Sequence, residues 1–405
     1  MRVVILGNGL SGTICGKTIR ELDSAAEIII VGEETHPYYP RPNLIDFLAG
    51  LIPREKVFAF TEGWAERQRL QVRLGVKAVS LDPEKPAVKF EDGSSLEADR
   101  LVLATGACPF IPPLPGVDRE GVFTVRTLDD ALELLDFIRS GPEIVILGGG
   151  LLGLEIARAL NLRGLRQITV VEVFSRLLPR QLDETGAGLL QLHLAGLGIR
   201  LITGREAVEI LGDRRVSGIR FKEGETVPAG AVIIASGVKP RLDLAREAGL
   251  DCGRGLLVDD YLRTSRDRVY AAGDVTEHRG KVYGLIPAAF DQARTLAYNL
   301  CDQPKKYEGT IPASTLKVMG IYLTSIGLVN PEAAGYEILA SYKPEAGLYK
   351  KLVLKEDSVV GAIWFGTKKG TQEVSRLIQS GRKIGEYKNE ILEEEFDFSR
   401  IFKDT

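Results

Sequence analysis

Six glycines carry the first chemical signal in the sequence. Gly7, Gly9 and Gly12 set up a Gly-x-Gly-x-x-Gly turn holding Leu10 and Ser11, and Gly148, Gly150 and Gly153 repeat it around Leu151 and Leu152. Glycines so spaced let the backbone close on a pyrophosphate at a helix N-terminus, while an acid at the end of the next strand accepts from the adenosine ribose hydroxyls. Glu33 or Glu34 stands at that place after the first turn, and Glu172 after the second. With 44 glycines in 405 residues a bare match is weak, so the doubling and the acids carry the argument. Two such sites in one chain point to electrons passed between two bound dinucleotides.

Each turn needs a strand before it and a helix after it. Residues 3–6 and 144–147 are β-rich apolar runs without helical period, and Leu10 with Ile14, then Leu151 with Leu154, fall at helical spacing. Three further apolar strands end in small residues: 100–104 before Thr105-Gly106, 231–235 before Ser236-Gly237, and 269–272 before Gly273-Asp274. Ligands of open α/β sheets sit at the carboxyl ends of strands, so all three endings are candidate contacts. At Ser236-Gly237 a glycine that merely ends a strand is an equal reading. The proline-rich residues 109–116 read as a connection between domains, and 285–294 as a helix with proline in its first turn. Beyond residue 310, strand-like runs at 315–318 and 322–328 and a hairpin over 349–365 predict a small antiparallel sheet, followed by a helix over 371–381. The tail, 389–402, mixes acids with three phenylalanines and reads equally as a docking segment or a solvated end.

Composition bounds the rest. At 405 residues the chain divides into two or three domains, and a net charge of −3 gives no footprint for nucleic acid or an anionic membrane. The amino terminus enters a strand at once, leaving no room for a leader, and no uncharged apolar stretch reaches bilayer length, so the expected location is cytoplasmic. Cys15, Cys108, Cys252 and Cys301 are far apart, which encodes neither a redox disulfide nor a metal or iron–sulfur site; no metal is expected. Cys15 and Cys301 read as packing residues.

In combination, the first turn with Glu33, the segment 103–107, the second turn with Glu155, the strand end at Glu172 and the segment 270–275 resemble the two-dinucleotide flavoprotein reductases of the pyridine nucleotide–disulfide oxidoreductase superfamily. The resemblance covers essentially the whole chain. It implies an α/β fold of two Rossmann-like domains, an FAD domain (1–112 and 240–308) split by an inserted NAD(H) domain (113–239), with a carboxyl-terminal α+β interface domain (309–405). For FAD it implies Gly7, Gly9, Leu10, Ser11, Gly12, Glu33, Glu34, Arg41, Pro42, Ala104, Thr105, Gly106, Gly273, Asp274, Pro287, Ala288 and Ala289. For NAD(H) it implies Gly148, Gly150, Leu151, Leu152, Gly153, Glu155, Glu172, Ser236 and Gly237.

The segment 35–44, with Pro37, Tyr38, Arg41 and Pro42, is similar to that of NADH:rubredoxin reductases, the amino-terminal part of NADH-nitrite reductases and oxygenase-type ferredoxin reductases. Thiol-using relatives bring a cysteine to the flavin here, and residues 36–50 contain none. Where ferredoxin reductases carry a lysine, this chain has Asn43-Leu44-Ile45-Asp46. Glu172 would repel the 2′-phosphate of NADPH, which favours NADH. The chemistry is expected to be the flavin's own, with Glu155 and Lys317 as candidate side chains near it; Trp364 is a further candidate neighbour of the flavin or an acceptor, and Met319 reads first as core packing. The expected activity is an NADH-dependent FAD oxidoreductase exchanging electrons with a rubredoxin, a ferredoxin or an iron–sulfur subunit, either as a homodimer or as part of a larger complex. A self-contained NADH oxidase, quinone or persulfide reductase and a non-catalytic NADH sensor are the alternatives.

Overall fold

Strands buried on both faces read as continuous apolar runs, and residues 3–6 are such a run because they face two different cores. Val3 and Ile5 join Cys15, Ile19, Ala293 and Leu296 on one side, while Val4 and Leu6 join Leu81, Val88, Phe90 and Leu96 on the other. The computed structural model describes residues 1–318 and 320–402, without the side chains of 314–318, so Met319 and the Lys317 side chain lie outside the described residues.

The chain forms two compact units. The first comprises residues 1–110, 126–129 and 238–310. Its five-stranded parallel sheet runs in the order Val269–Ala271, Arg100–Leu103, Arg2–Leu6, Glu27–Val31, Gln71–Arg73. Helices Leu10–Leu22 and Ile286–Leu300 cover one face through Cys15, Ile19 and Leu296, and a three-stranded antiparallel sheet over residues 78–97 covers the other. Burial pushes the Cys15 thiol far above the ordinary thiol range, which suits packing and not chemistry.

The second unit comprises 111–125, 130–237 and 311–405. A second parallel sheet runs Arg200–Thr203, Ile168–Glu172, Ile144–Leu147, Ala231–Ile234, Val122–Phe123, and a three-stranded meander over 207–228 packs on it through Ile210, Ile219 and Phe221. The carboxyl-terminal sheet is antiparallel, in the order Ala313–Val318, Ile321–Gly327, Ser358–Phe365, Leu348–Lys355, Glu337–Lys343, with helix Thr371–Ser380 packed through Val374 and Leu377. The edge strand Glu337–Lys343 has no alternation of polarity, and the sequence reading did not find it. Trp364 is buried in this core and donates its ring N–H to Lys369 O at 2.9 Å. The tail folds back on the same core through Ile391 and Ile401, with Arg400 over the rings of Tyr387 and Phe396.

Candidate functional site

The two glycine turns share one hydrogen-bond frame. Gly7 N–H donates to Val31 O at 2.7 Å and Gly148 N–H to Val171 O at 2.8 Å; Ala104 N–H donates to Leu6 O and Ala235 N–H to Leu147 O, both at 2.8 Å. Within that frame the three glycines of each turn do different work. A β-carbon on Gly7 would lie 2.0 Å from Ala104 O, and one on Gly148 would lie 2.4 Å from Ala235 O. One on Gly12 would lie 1.9 Å from Gly7 O, and one on Gly153 would lie 2.0 Å from Gly148 O. These four glycines let strand, turn and helix approach one another. Gly9 and Gly150 differ, because a β-carbon there meets nothing within 4 Å.

Gly9 and Gly150 also begin helices Leu10–Leu22 and Leu151–Leu162 in extended conformation, and no side chain caps either helix. Each helix therefore starts without a side-chain cap, beside a glycine whose missing β-carbon leaves open space, which is what a pyrophosphate needs. The residues present fit two dinucleotides.

One pair of positions distinguishes the turns. By strand register Gly32 corresponds to Glu172, and Asn8 to Gly149. A β-carbon on Gly32 would stand 2.9 Å from Asn8 Cβ, and one on Gly149 would stand 2.9 Å from Glu172 Cβ. The two positions share room for one side chain, and each turn places it on the opposite partner. Glu172 is buried, and its carboxylate accepts from Gly149 N–H at 2.8 Å and Phe174 N–H at 2.9 Å. A carboxylate has about four acceptor directions, so capacity remains for ribose hydroxyls. In the first unit the acid falls one residue later, at Glu33, whose carboxylate pairs with Arg241.

The first turn gathers the other FAD candidates of its unit. Ser11 Oγ donates to Ala289 O at 3.3 Å, and a β-carbon on Gly273 would lie 2.3 Å from Ser11 Oγ. Gly273 N–H donates to the buried Gln292 at 2.7 Å, and Thr276 Oγ1 donates to the same amide oxygen at 3.1 Å. Asp274 pairs with Arg126 at 3.0 Å. Pro287 lies in the first turn of the uncapped helix Ile286–Leu300, with Ala288 and Ala289 buried behind it. Thr105 Oγ1 donates to Arg241 O at 3.4 Å, beside Gly106, whose φ is +69° and whose missing β-carbon also leaves open space.

Arg41 is held in a polar knot: its guanidinium reaches Glu34 and Arg126 O, each at 2.5 Å, and Tyr39 Oη at 2.7 Å. Tyr39 donates to Glu34 and accepts from Leu128 N–H, and burial, ahead of the Glu34 carboxylate, pushes its phenol well above the ordinary range. Pro42 starts the short helix Asn43–Leu48. In the second unit Glu155 pairs with Arg158 at 3.7 Å, and Ser236 Oγ donates to Leu147 O at 3.4 Å. Gly237, at φ +108°, again faces open space.

Sequence reading did not single out Asn8, Gly32, Tyr39, Arg126, Arg241 or Gln292. Only Asn8 and Gly32 left a legible trace, since aligning the two turns exposes their inverse pattern against Gly149 and Glu172. The others reach partners through folding alone.

Comparison with known proteins accords with this geometry. Residues 1–293 match the family model for pyridine nucleotide-disulphide oxidoreductases, and residues 312–382 match the rubredoxin NAD+ reductase C-terminal domain. The chain is 33% identical to the assimilatory nitrate reductase electron transfer subunit of Bacillus subtilis over 396 residues, 97% of this chain and 51% of that protein. It thus spans about half the length of the first curated relatives it matches. It is 29% identical to the NADH-rubredoxin oxidoreductase of Clostridium acetobutylicum over 91% of this chain and 93% of that protein. Among solved structures, an NAD-dependent persulfide reductase from A. fulgidus aligns with TM-score 0.88 at 28% identity, covering 96% of this chain and 79% of that one. With both glycine turns inside one family match, the chain belongs to the pyridine nucleotide-disulphide oxidoreductases, enzymes that work with FAD and NAD(H).

Proposed function

We propose that the chain oxidises NADH, or reduces NAD+, in exchange for electrons carried by a separate redox protein such as a rubredoxin, a ferredoxin or an iron–sulfur subunit. The observation that carries the reading is the pair of turns on one hydrogen-bond frame, each open at its middle glycine and uncapped at its helix. The match of residues 312–382 and the likeness to an electron transfer subunit and an NADH-rubredoxin oxidoreductase support an external partner. FAD, when bound, takes two electrons from NADH and can release them singly.

In this reading residues 1–112 and 240–308 hold FAD, joined by the stretch 126–129, the rest of 113–239 holds NAD(H), and 309–405 contribute the partner-facing domain. Gly7, Gly9, Leu10, Ser11 and Gly12 cradle the FAD pyrophosphate, Glu33 and Glu34 serve its ribose end, and Arg41, Pro42, Ala104, Thr105 and Gly106 flank it. Gly273, Asp274 and the amino end of the helix with Pro287, Ala288 and Ala289 serve the flavin end, where free N–H groups stabilise negative charge. Gly148, Gly150, Leu151, Leu152 and Gly153 cradle the NAD(H) pyrophosphate, Glu172 takes the ribose, and Glu155, Ser236 and Gly237 serve the nicotinamide end. The proposed setting is the cytoplasm, consistent with four cysteines that form no disulfide.

The likeness to a persulfide reductase favours a second reading, against which stands the absence of cysteine from residues 36–50. Anaerobic reduction by NADH followed by separate stopped-flow additions of oxygen, a quinone, a small-molecule persulfide, rubredoxin and ferredoxin distinguishes them. Fast reoxidation by an iron–sulfur or rubredoxin-type protein and slow reoxidation by oxygen are expected. Fast reoxidation by oxygen alone would sink the external-partner reading.

A further inference from the structure

We propose that the carboxyl-terminal sheet sets the position of the NAD(H) turn through a clamp on residues 177–183, with Asn330, Tyr349 and Lys351 as positioning residues; this rests on reading residues 148–153 as the NAD(H) site. Residues 173–183 leave the strand that ends in Glu172 and lead into helix Glu184–Gly196. At its near end this loop braces the glycine turn. Leu178 N–H donates to Gly149 O at 3.2 Å, and Leu177 packs so closely that its Cδ2 would stand 2.6 Å from a β-carbon on Gly149. Leu177, Leu178 and Leu182 are fully buried, and Leu178 adopts φ +48°. Leucine persists in the left-handed region only where its surroundings hold it there.

The far end of the loop is held by the carboxyl-terminal domain. Asn330 Nδ2 donates to Pro179 O at 3.3 Å and to Leu182 O at 3.0 Å. Asp183 caps helix Glu184–Gly196 through Oδ1, which accepts from Gly186 N–H at 3.0 Å. Its Oδ2 accepts from Tyr349 Oη at 2.6 Å and Lys351 Nζ at 2.9 Å. Half-burial pushes the Asp183 carboxyl up, but donation from Tyr349, Lys351 and Gly186 outweighs it and holds the group below its ordinary range. Lys351 is only 7% exposed, and a buried ion pair of this kind adds little net stability over an apolar replacement. What three donors converging on one carboxylate and two carbonyls supply is position. The loop they fix carries the N–H and the leucine that seat Gly149, and Gly149 N–H in turn seats the Glu172 carboxylate. Coupling of this kind is reciprocal, so NADH binding tightens the loop and loosening the loop weakens NADH.

The test uses the full flavin-loaded chain with ferricyanide as acceptor. Lys351→Met and the double variant Tyr349→Phe with Asn330→Ala should raise KM for NADH about fivefold or more. They should leave kcat and flavin content unchanged and speed amide exchange over residues 174–182. Lys351→Arg should restore most of the NADH affinity. Tyr349→Phe alone removes one hydroxyl, so it keeps the test decisive if Lys351→Met folds poorly. Variants that melt earlier but keep the wild-type KM and exchange pattern would reduce the clamp to structural glue and overturn the proposal. A wild-type chain that never saturates with NADH would remove the NAD(H) reading itself, a failure visible without any variant.

Discussion

Asn8 with Gly32, and Gly149 with Glu172, show how one cramped spot at the mouth of each turn is shared by two residues. The β-carbon positions 2.9 Å apart admit one side chain, so the pair is coupled even though its members lie 24 and 23 residues apart in the sequence. Gly32→Ala should therefore lose about 1–3 kcal/mol by overpacking. In an Asn8→Gly background the same substitution should be nearly free, giving a double-mutant coupling of about 1 kcal/mol or more. Chemical denaturation of the four proteins measures this. Strictly additive losses would show that some other neighbour sets the limit at Gly32. The inverse choice in the second turn has a chemical consequence, since it brings the carboxylate itself to the glycine backbone.

That carboxylate acts at the scale of the element, where a strand end, a turn and a helix start meet. If Glu172 takes the ribose as proposed, it would repel a 2′-phosphate by about 1 kcal/mol at 4 Å even at the dielectric of water, and more in a site from which water is excluded. Glu172→Ala should narrow the preference for NADH over NADPH about fivefold or more, measured as the ratio of kcat/KM values. Glu172→Gln should give a similar narrowing while keeping an acceptor oxygen for Gly149 N–H. Discrimination unchanged in both variants would place the ribose contact elsewhere. The parallel strands and glycine turns around this site were legible in the sequence because burial on both faces leaves unbroken apolar runs and because a β-carbon at Gly12 would stand 1.9 Å from Gly7 O, which leaves no substitute for glycine. The antiparallel strands over 78–97 and 207–228 were not legible, since their exposed faces carry mixed residues over short spans. The polar partners of the site were hidden for a different reason. Arg126 meets Asp274 across 148 residues and Arg241 meets Glu33 across 208, and no local pattern encodes such pairs.

Each unit closes hydrophobic cores of its own, so each proposed cofactor should stabilise the unit whose residues cradle it. A ligand bound only to the native state at a hundred times its dissociation constant adds about 2.7 kcal/mol. NAD+ added to the flavin-loaded chain should slow amide exchange in the strands Ile144–Leu147, Ile168–Glu172 and Ala231–Ile234, whereas removing FAD should speed it in Arg2–Leu6, Arg100–Leu103 and Val269–Ala271. The sharpest readout is the short stretch 126–129. It is separated from the rest of the first unit in sequence yet belongs to it, through Arg126 on Asp274, Leu128 N–H on Tyr39 and Asp129 on His36. Its amides should follow FAD, while those of residues 111–125 and 130–137 should follow NAD+. Protection of all three stretches rising together with either ligand would mean that the units unfold as one and that the ligands do not report on them separately.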